Sequence, residues 1–189
     1  MIALGTRQRL YAAEKNIGPG WAPGPPPESE RMDDRFIRAF NKTIQSEGVY
    51  VFDPDDPGGE TKFGISKRSF PDLDIRNLSV EEARRIYYDV YWLAPKWFEV
   101  EHAPLADKLF DLGVNMGIRR AALILQIALN RFGAGVSEDG VIGPNTLKAA
   151  NNFRHPEALL LVVRSVACEF YLGMNQPKYI AGWLTRLAQ

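Results

Sequence analysis

Apolar residues recur at every third or fourth position in a series of segments that begins at residue 33, and Gly or Pro residues separate the segments. In the first segment, DDRFIRAFNKTIQSEG, the apolar residues Phe36, Phe40 and Ile44 lie four positions apart, and Gly48 follows. This spacing predicts an amphipathic helix that buries one face and ends at the glycine. Because most later segments repeat the pattern, we expect a mainly α (α+β) fold.

Several later segments carry signals of helix initiation. Ser79 and Glu82 in LSVEEARRIYYDVYW have the spacing of a capping box, and Pro104 suits the first turn of PLADKLFDLGVNMG. Residues 156–174 are apolar on nearly all sides, which predicts a central, buried helix. Further helices are predicted over RRAALILQIALNRFG, after Pro144, and around Trp183 and Leu187.

Two parts of the chain depart from the helical pattern. Residues 49–66 are rich in Gly, Pro and Asp and contain the β-prone pieces VYVF and KFGI, so we expect a loop with a small hairpin. Residues 1–32 carry charge throughout and include GPGWAPGPPP, which favours an extended backbone. They lack the long apolar run of a secretion signal, so we expect an N-terminal extension or linker.

Composition argues against several classes of function. Lys and Arg number 23, as do Asp and Glu, so no basic surface for nucleic acid is expected. No apolar stretch reaches the roughly 18 residues of a membrane helix. The single cysteine, Cys168, excludes an intramolecular disulfide and is expected to be a buried small hydrophobe. His102 and His155 have no second ligand at zinc spacing, so no metal site is expected.

The densest group of carboxylates lies in EGVYVFDPDDPGGETKFG, residues 47–64. A calcium loop requires D-x-[DN]-x-[DN]-G with an acid at position twelve, whereas Gly64 stands at that position counted from Asp53. On composition alone, the Asp-Pro and Pro-Gly pairs are typical of a solvated turn. The five acids of the stretch are Glu47, Asp53, Asp55, Asp56 and Glu60.

Helix phase separates Glu47 from the other acids. Three residues beyond Ile44, Glu47 lies at the edge of the apolar face in the last turn of the predicted helix. A helix C-terminus and partial burial both disfavour an anion, so we expect this side chain to keep its proton near neutral pH. Asp56, in a polar loop, is expected to stay ionised, and the Thr61 hydroxyl could hold a water molecule. Glycoside hydrolysis requires such a protonated acid together with a second polar group.

The spacing of these three residues resembles the Glu/Asp/Thr set of phage-type lysozymes, whose loop is commonly one residue longer. A closer resemblance, from Asp33 to the C-terminus, is to glycoside hydrolase family 108, which comprises N-acetylmuramidases of phage endolysins and bacterial proteins once labelled secretion activators. Three stretches carry it in order, EGVYVFDPDDPGGETKFGISKRSFPDLDI, LSVEEARRIYYDVYW and LADKLFDLGVNMG. The family motif is usually E-G-G-Y, with the glutamate as catalytic acid. Here Val49 replaces the second glycine, and valine tolerates positive φ poorly.

The C-terminal part carries a separate signal. EDGVIGPNTLKAAN resembles the D-G-x-x-G-x-x-T motif of peptidoglycan-binding helical modules. Asp139-Gly140 predicts a tight turn, and Thr146 can bond the backbone of the following helix, so the motif could instead serve only to complete the fold. The resemblance implies a lysozyme-like catalytic lobe over 33–120 and a C-terminal helical lobe over 121–189 that packs on it.

The resemblance implies an endolysin-type N-acetylmuramidase, which cleaves the β-1,4 bond between N-acetylmuramic acid and N-acetylglucosamine without a cofactor. Glu47 is expected to be the general acid, with Asp56 or Thr61 in an electrostatic or water-positioning role. The expected partner is the bacterial peptidoglycan glycan strand. A lytic transglycosylase, and a non-catalytic wall-binding or secretion-associated protein, are the alternatives.

Aromatic and amide side chains are candidates for sugar binding. Tyr50, Phe63 and Trp92 could stack on the apolar faces of sugar rings, although each is more often a core residue. Asn115 in VNMG is expected to bond an N-acetyl group, and Gln126 is a weaker candidate for the same role. The protein is expected to be a monomer that is made in the cytoplasm and reaches the cell wall through a holin-type membrane lesion.

Overall fold

The computed structural model describes residues 32–44, 51–52 and 59–188. These residues are mainly helical with one small sheet, which confirms the mainly α fold. The chain divides into two compact units, Met1–Ala94 and Pro95–Gln189.

The first unit holds a helix, a sheet and a second helix. Helix α1 spans Asp34–Ile44. Strands β1 (Val51–Phe52), β2 (Glu60–Lys62) and β3 (Ile65–Ser66) form an antiparallel sheet in the order β1-β2-β3, so the predicted hairpin carries a third strand. Helix α2 spans Val80–Ile86 and continues directly into a π-helical segment, Tyr87–Leu93.

Aromatic side chains form the core of the first unit. The fully buried ring of Phe36 lies 4.9 Å from that of Tyr88 and 6.0 Å from that of Trp92, measured between centroids. Phe40 packs in the same way on Tyr87, at 5.6 Å. The buried face predicted for α1 is therefore confirmed at Phe36 and Phe40, and it packs on the π-helical segment.

The second unit consists of a short 3₁₀ turn and five α-helices in the described residues. The turn, Trp97–Glu99, precedes α3 (Ala103–Met116), α4 (Ile118–Arg131), α5 (Pro144–Asn151), α6 (Pro156–Gly173) and α7 (Pro177–Ala188). Helices α3, α5 and α6 each have a proline in the first turn. A backbone N–H in the first turn has no partner within the helix, so proline costs no hydrogen bond there.

Helix α3 packs closely against α4 and α6. A single residue, Gly117, ends α3 and begins α4 with a φ of 90°, a conformation that favours glycine. The lobe boundary predicted at residue 120 falls within the first turn of α4, whereas the two compact units separate at Ala94 and Pro95. The predicted division into a catalytic and a C-terminal lobe stays a prediction.

Helix α6 is less buried than its composition predicts. Leu159, Val163 and Ala167 are fully buried, but Leu161 is 64% exposed and Leu172 52% exposed. The helix packs on α3, α4 and α7, as a central helix does, but it is not buried on all of its apolar sides. Cys168 on this helix is half-buried rather than buried. Among the helices that the structure describes, none is long and apolar enough to cross a membrane.

The capping box that begins α2 is confirmed. The Ser79 hydroxyl accepts a hydrogen bond from the Glu82 backbone N–H at 3.1 Å, and the Glu82 carboxylate accepts one from the Ser79 backbone N–H at 2.8 Å. The bond from the Ser79 backbone, followed by that from its side chain, lowers the pKa of Glu82. Two N–H groups that the helix itself cannot satisfy thus find partners.

Replacing Ser79 by Ala should lower the free energy of unfolding by about 1 kcal/mol, because the first turn of α2 loses its cap. Urea unfolding at pH 7 measures the change. Ser165→Ala is the matched control, since Ser165 is exposed within α6 and caps no helix. Equal stability of the Ser79→Ala variant and the wild type would show that the cap adds nothing here.

Candidate functional site

Three of the predicted site residues lie outside the described residues. These are the acid Glu47, the carboxylate Asp56 and the aromatic Tyr50; Val49 lies outside as well. The described elements bracket them in sequence, since α1 ends at Ile44 and strands β1 and β2 flank the segment that contains Asp56. The roles assigned to these residues stay predictions.

Thr61, the predicted water-positioning residue, lies in the central strand of the sheet. It pairs with Val51 in β1 and with Ser66 in β3, and it is half-buried. Ser66 is buried, and its hydroxyl lies 2.9 Å from that of Ser69. Because directly paired residues share a face of a sheet, the Thr61 and Ser66 side chains lie on the same face, and backbone pairing on both sides holds Thr61.

Phe63 lies in the two-residue turn between β2 and β3. Its φ of 51° and the φ of 74° at Gly64 are both positive, as in the turns that match the twist of a hairpin. The Tyr87 hydroxyl donates a hydrogen bond to the Phe63 carbonyl at 2.9 Å, which ties this turn to the π-helical segment. The Phe63 side chain is half-buried, so part of it is accessible, and its role in sugar binding stays a prediction.

Trp92 takes the core role that the sequence left open. Its side chain is fully buried and packs on Phe36. A sugar ring stacks on an accessible aromatic face, and Trp92 presents none in this structure. The structure therefore does not support Trp92 as a stacking residue. Helix periodicity alone does not show which neighbour covers this side chain, and in the structure that neighbour is α1.

Asn115 lies near the end of α3 and is half-buried. Its Nδ2 donates to the backbone carbonyl of Asp111 at 2.7 Å and lies 3.3 Å from Oδ1 of the Asp111 carboxylate. The side-chain amide is therefore held in one orientation by the preceding turn of its own helix. Contact between Asn115 and a sugar stays a prediction.

The Asp111 carboxylate organises a charged cluster that sequence reasoning missed. Arg186 on α7 donates from Nε to Oδ1 at 2.7 Å, and Lys108 Nζ lies 3.5 Å from Oδ2. Lys108, only 6% exposed, also donates to the Arg186 carbonyl at 3.0 Å. Burial lowers the pKa of Lys108, and the Asp111 carboxylate opposes this shift. The Lys108–Asp111 spacing is visible in the sequence, but Arg186 lies 75 positions beyond Asp111.

Gln126 holds the loop that carries the D-G-x-x-G-x-x-T motif. Its Nε2 donates to the Asp139 carboxylate at 2.8 Å and to the Val141 carbonyl at 2.9 Å, while its Oε1 accepts from the Gly140 N–H at 2.8 Å. The residue is buried and its amide is fully bonded. Gln126 therefore has a structural role. The structure does not support it as a residue that bonds an N-acetyl group.

Asn130, one turn further along α4, supports the same loop. Its Nδ2 donates to the Val136 carbonyl at 2.8 Å and to the Glu138 carboxylate at 2.9 Å, and its Oδ1 accepts from the Val136 N–H at 2.8 Å. Because residues four apart share a helix face, the two amides act together on residues 136–141.

The local turn and the close approach of Arg119 explain why Asp and Gly stand at positions 139 and 140. Asp139 Oδ1 accepts a hydrogen bond from the Val141 N–H at 2.9 Å, which closes a local turn. Gly140 has a φ of 73°, and a Cβ atom there would lie 2.5 Å from Arg119 Cγ and 2.8 Å from the Arg119 carbonyl oxygen. Thr146, the last residue of the motif, is buried. These motif residues thus have a structural role in the described part of the chain.

Two comparisons with known proteins agree with the sequence-based interpretation. Residues 40–117 match the family model Glycosyl hydrolase 108, and residues 120–188 match the model Predicted Peptidoglycan domain. A solved structure, "Structure of Brucella abortus SagA", is similar with 25% sequence identity and a TM-score of 0.71, over 81% of this chain and 89% of that one. A comparison with curated proteins gives no significant match.

The described fold and these matches define a lysozyme-like helical protein with a peptidoglycan-binding region. The Glycosyl hydrolase 108 match over residues 40–117 confirms the family resemblance that the motifs predicted. The first matched region ends at Gly117, the residue that joins α3 to α4, and the second begins at residue 120. The two matches support a peptidoglycan hydrolase or lysozyme-like function.

Replacing Gly140 by Ala should destabilise the protein more than the same change at Gly135. Both glycines have positive φ, so each substitution carries a strain of about 1 kcal/mol. Only at Gly140 does the added Cβ meet backbone, so that variant should lose about 1–3 kcal/mol more. Urea unfolding of both variants measures the difference. Equal destabilisation would mean that Arg119 moves aside without cost.

The bonds to Asp139 should make stability depend on pH. The hydrogen bond from Gln126, followed by that from the Val141 backbone, lowers the pKa of Asp139 from its ordinary value of 3.8. A carboxyl with a lowered pKa stabilises the fold above its unfolded pKa, and this contribution disappears as pH falls through the folded pKa. The melting temperature of Asp139→Asn should therefore lie below that of the wild type at pH 7, and the gap should narrow below pH 3.8.

The exposed Asp72→Asn controls for the loss of one charge. A gap between Asp139→Asn and the wild type that stays constant from pH 7 to pH 3 would contradict this account of Asp139.

Proposed function

We propose that this protein is an endolysin-type N-acetylmuramidase. It cleaves the β-1,4 bond between N-acetylmuramic acid and N-acetylglucosamine in peptidoglycan, with Glu47 as the general acid. The observation that carries the proposal is the Glycosyl hydrolase 108 match over residues 40–117, which includes the E-G-V-Y stretch and is followed by the peptidoglycan-domain match. A glycosidase and a wall-binding region in one chain suit a polymeric wall substrate.

The chemistry assigns different protonation states to the two acids. Glu47 delivers its proton to the glycosidic oxygen as the bond breaks, so it must hold that proton in the resting enzyme. An ionised Asp56 stabilises the positive charge that develops on the sugar ring, and the Thr61 hydroxyl holds the attacking water. The support for Thr61 is its position on the central strand, where pairing on both sides limits its movement.

Sugar binding is assigned to three of the four predicted residues. Tyr50 and Phe63 supply aromatic faces for the apolar side of a sugar ring, and Asn115 bonds an N-acetyl group. Phe63 and Asn115 are half-buried, which leaves part of each accessible to a ligand. The burial of Trp92 removes it from the set.

Replacing Glu47 by Gln should slow the loss of turbidity of purified cell walls by on the order of 10²–10⁴-fold, the usual contribution of a general acid. The amide is close in size to the acid but has no proton to transfer. Glu81→Gln is the matched control, because Glu81 is exposed in the first turn of α2. If Glu47→Gln clears walls as fast as the wild type, Glu47 is not the acid.

Analysis of the same digests separates the alternatives. Hydrolysis leaves ordinary reducing ends, whereas a lytic transglycosylase forms an anhydro sugar because the muramyl hydroxyl replaces water as nucleophile. If neither the wild type nor Glu47→Gln clears the walls but both pellet with them, the chain is a wall-binding protein. Asp56→Asn and Thr61→Ala, measured in the same assay, show which of the two residues assists Glu47.

A further inference from the structure

We propose that Arg186 is a positioning residue for substrate recognition: acting through Asp111, it orients Asn115 so that the Asn115 Oδ1 accepts a hydrogen bond from a sugar donor group. The inference rests on the proposed function, because it takes an N-acetylated glycan as the ligand. It gives the C-terminal helix α7 a part in recognising the substrate.

The contacts of Asn115 fix which end of its amide faces outward. Both groups close to it, the Asp111 carbonyl at 2.7 Å and the Asp111 carboxylate oxygen at 3.3 Å, can only accept hydrogen bonds. The nitrogen must therefore face Asp111, since the opposite orientation would bring three oxygens together. Both N–H groups of the amide then have acceptors, and Oδ1 remains as the group that can meet a ligand.

Arg186 holds the acceptor that sets this orientation. The same Asp111 oxygen that faces Asn115 accepts the 2.7 Å bond from Arg186 Nε. Asp111 is 15% exposed and Arg186 is 20% exposed, so solvent screens this ion pair only weakly. Lys108 bonds the other Asp111 oxygen and the Arg186 carbonyl, and thereby joins α3 to the last turn of α7 a second time.

Packing of α7 places Arg186 where it can reach α3. Trp183, three residues before Arg186, stacks on Tyr171 of α6 with a centroid distance of 5.0 Å and an interplanar angle of 21°. It also stacks on Tyr179 at 5.9 Å, and Leu187 is buried. These apolar contacts hold α7 in place, so the backbone that carries Arg186 has a defined position.

The orientation of Asn115 determines what it can recognise. With the nitrogen bonded to Asp111, the residue offers an acceptor and no donor. An N-acetyl group supplies a matching amide N–H, and a sugar hydroxyl can also donate. We assign the acetamido N–H of the glycan strand to Asn115 Oδ1, because the proposed substrate carries one on every sugar.

A double-mutant cycle with soluble N-acetylated glycan strands tests the assignment. Asn115→Ala should raise KM about 3- to 10-fold, the effect of losing one hydrogen bond to the substrate. Arg186→Gln should raise KM in the same range, with kcat changed less than about 2-fold. In the Asn115→Ala background, Arg186→Gln should have no further effect on KM, since the residue that it positions is absent.

Arg131→Gln is the matched control. It also removes an arginine–carboxylate pair of the second unit, the bidentate contact of Arg131 with Glu169, and no described contact joins that pair to Asn115. Its KM should equal that of the wild type. If Arg186→Gln does not fold, as judged by circular dichroism, Arg186→Lys replaces it in the cycle, because lysine keeps the charge but forms a single-point contact.

Two outcomes overturn the proposal. In the first, Arg186→Gln or Arg186→Lys raises KM by the same factor with and without Asn115, as expected of a purely structural ion pair. In the second, Asn115→Ala leaves KM unchanged. The Glu47→Gln assay is independent of both results, so failure of this inference and failure of the proposed function are distinguishable.

Discussion

The Asp111 carboxylate is the group on which the ionic cluster between α3 and α7 depends. It lies 15% exposed on α3 and accepts from Arg186, while Lys108 and Asn115 lie within hydrogen-bonding reach of its two oxygens. Removal of a buried ion from water costs several kcal/mol, so such a cluster adds little net stability compared with apolar packing. Loss of one member is costly, because the remaining charges are left without partners. The cluster therefore fixes side-chain positions more than it adds stability, and one position that it fixes is that of the Asn115 amide.

Local signals in the sequence predict local structure well. The periodicity of Phe36 and Phe40, the Ser79–Glu82 capping box and Pro104 each depend on residues within one or two helical turns, and all three lie where expected. The run YYDVYW is predicted as an ordinary helix but is π-helical, with a bond from the Ala94 N–H to the Asp89 carbonyl, five residues back. Tyr87, Tyr88, Tyr91 and Trp92 are all buried in this segment.

The candidate site was predictable only in part, for a related physical reason. Spacing assigns a residue to a face of a helix or strand but does not show which tertiary neighbour covers it. Trp92 was a plausible stacking residue until α1 proved to cover it, and Gln126 was a plausible ligand contact until the Asp139 loop proved to bond it fully. The Arg186–Asp111 contact spans 75 positions, so no local pattern could have revealed it.

Tertiary contacts also determine how the peptidoglycan-domain region contributes to function. Its recognisable motif residues shape this region: Gly140 and Thr146 are buried, and Asp139, although exposed, is bonded to Gln126 and to the Val141 N–H. Gly117 alone separates α3, at the end of the first family region, from α4, at the start of the second. Since α3 packs against α4 and α6, and α7 bonds it through Arg186, the second region cannot move freely relative to α3. A region attached in this way contributes to the arrangement of the end of α3, and so of Asn115, as well as to any affinity for the wall.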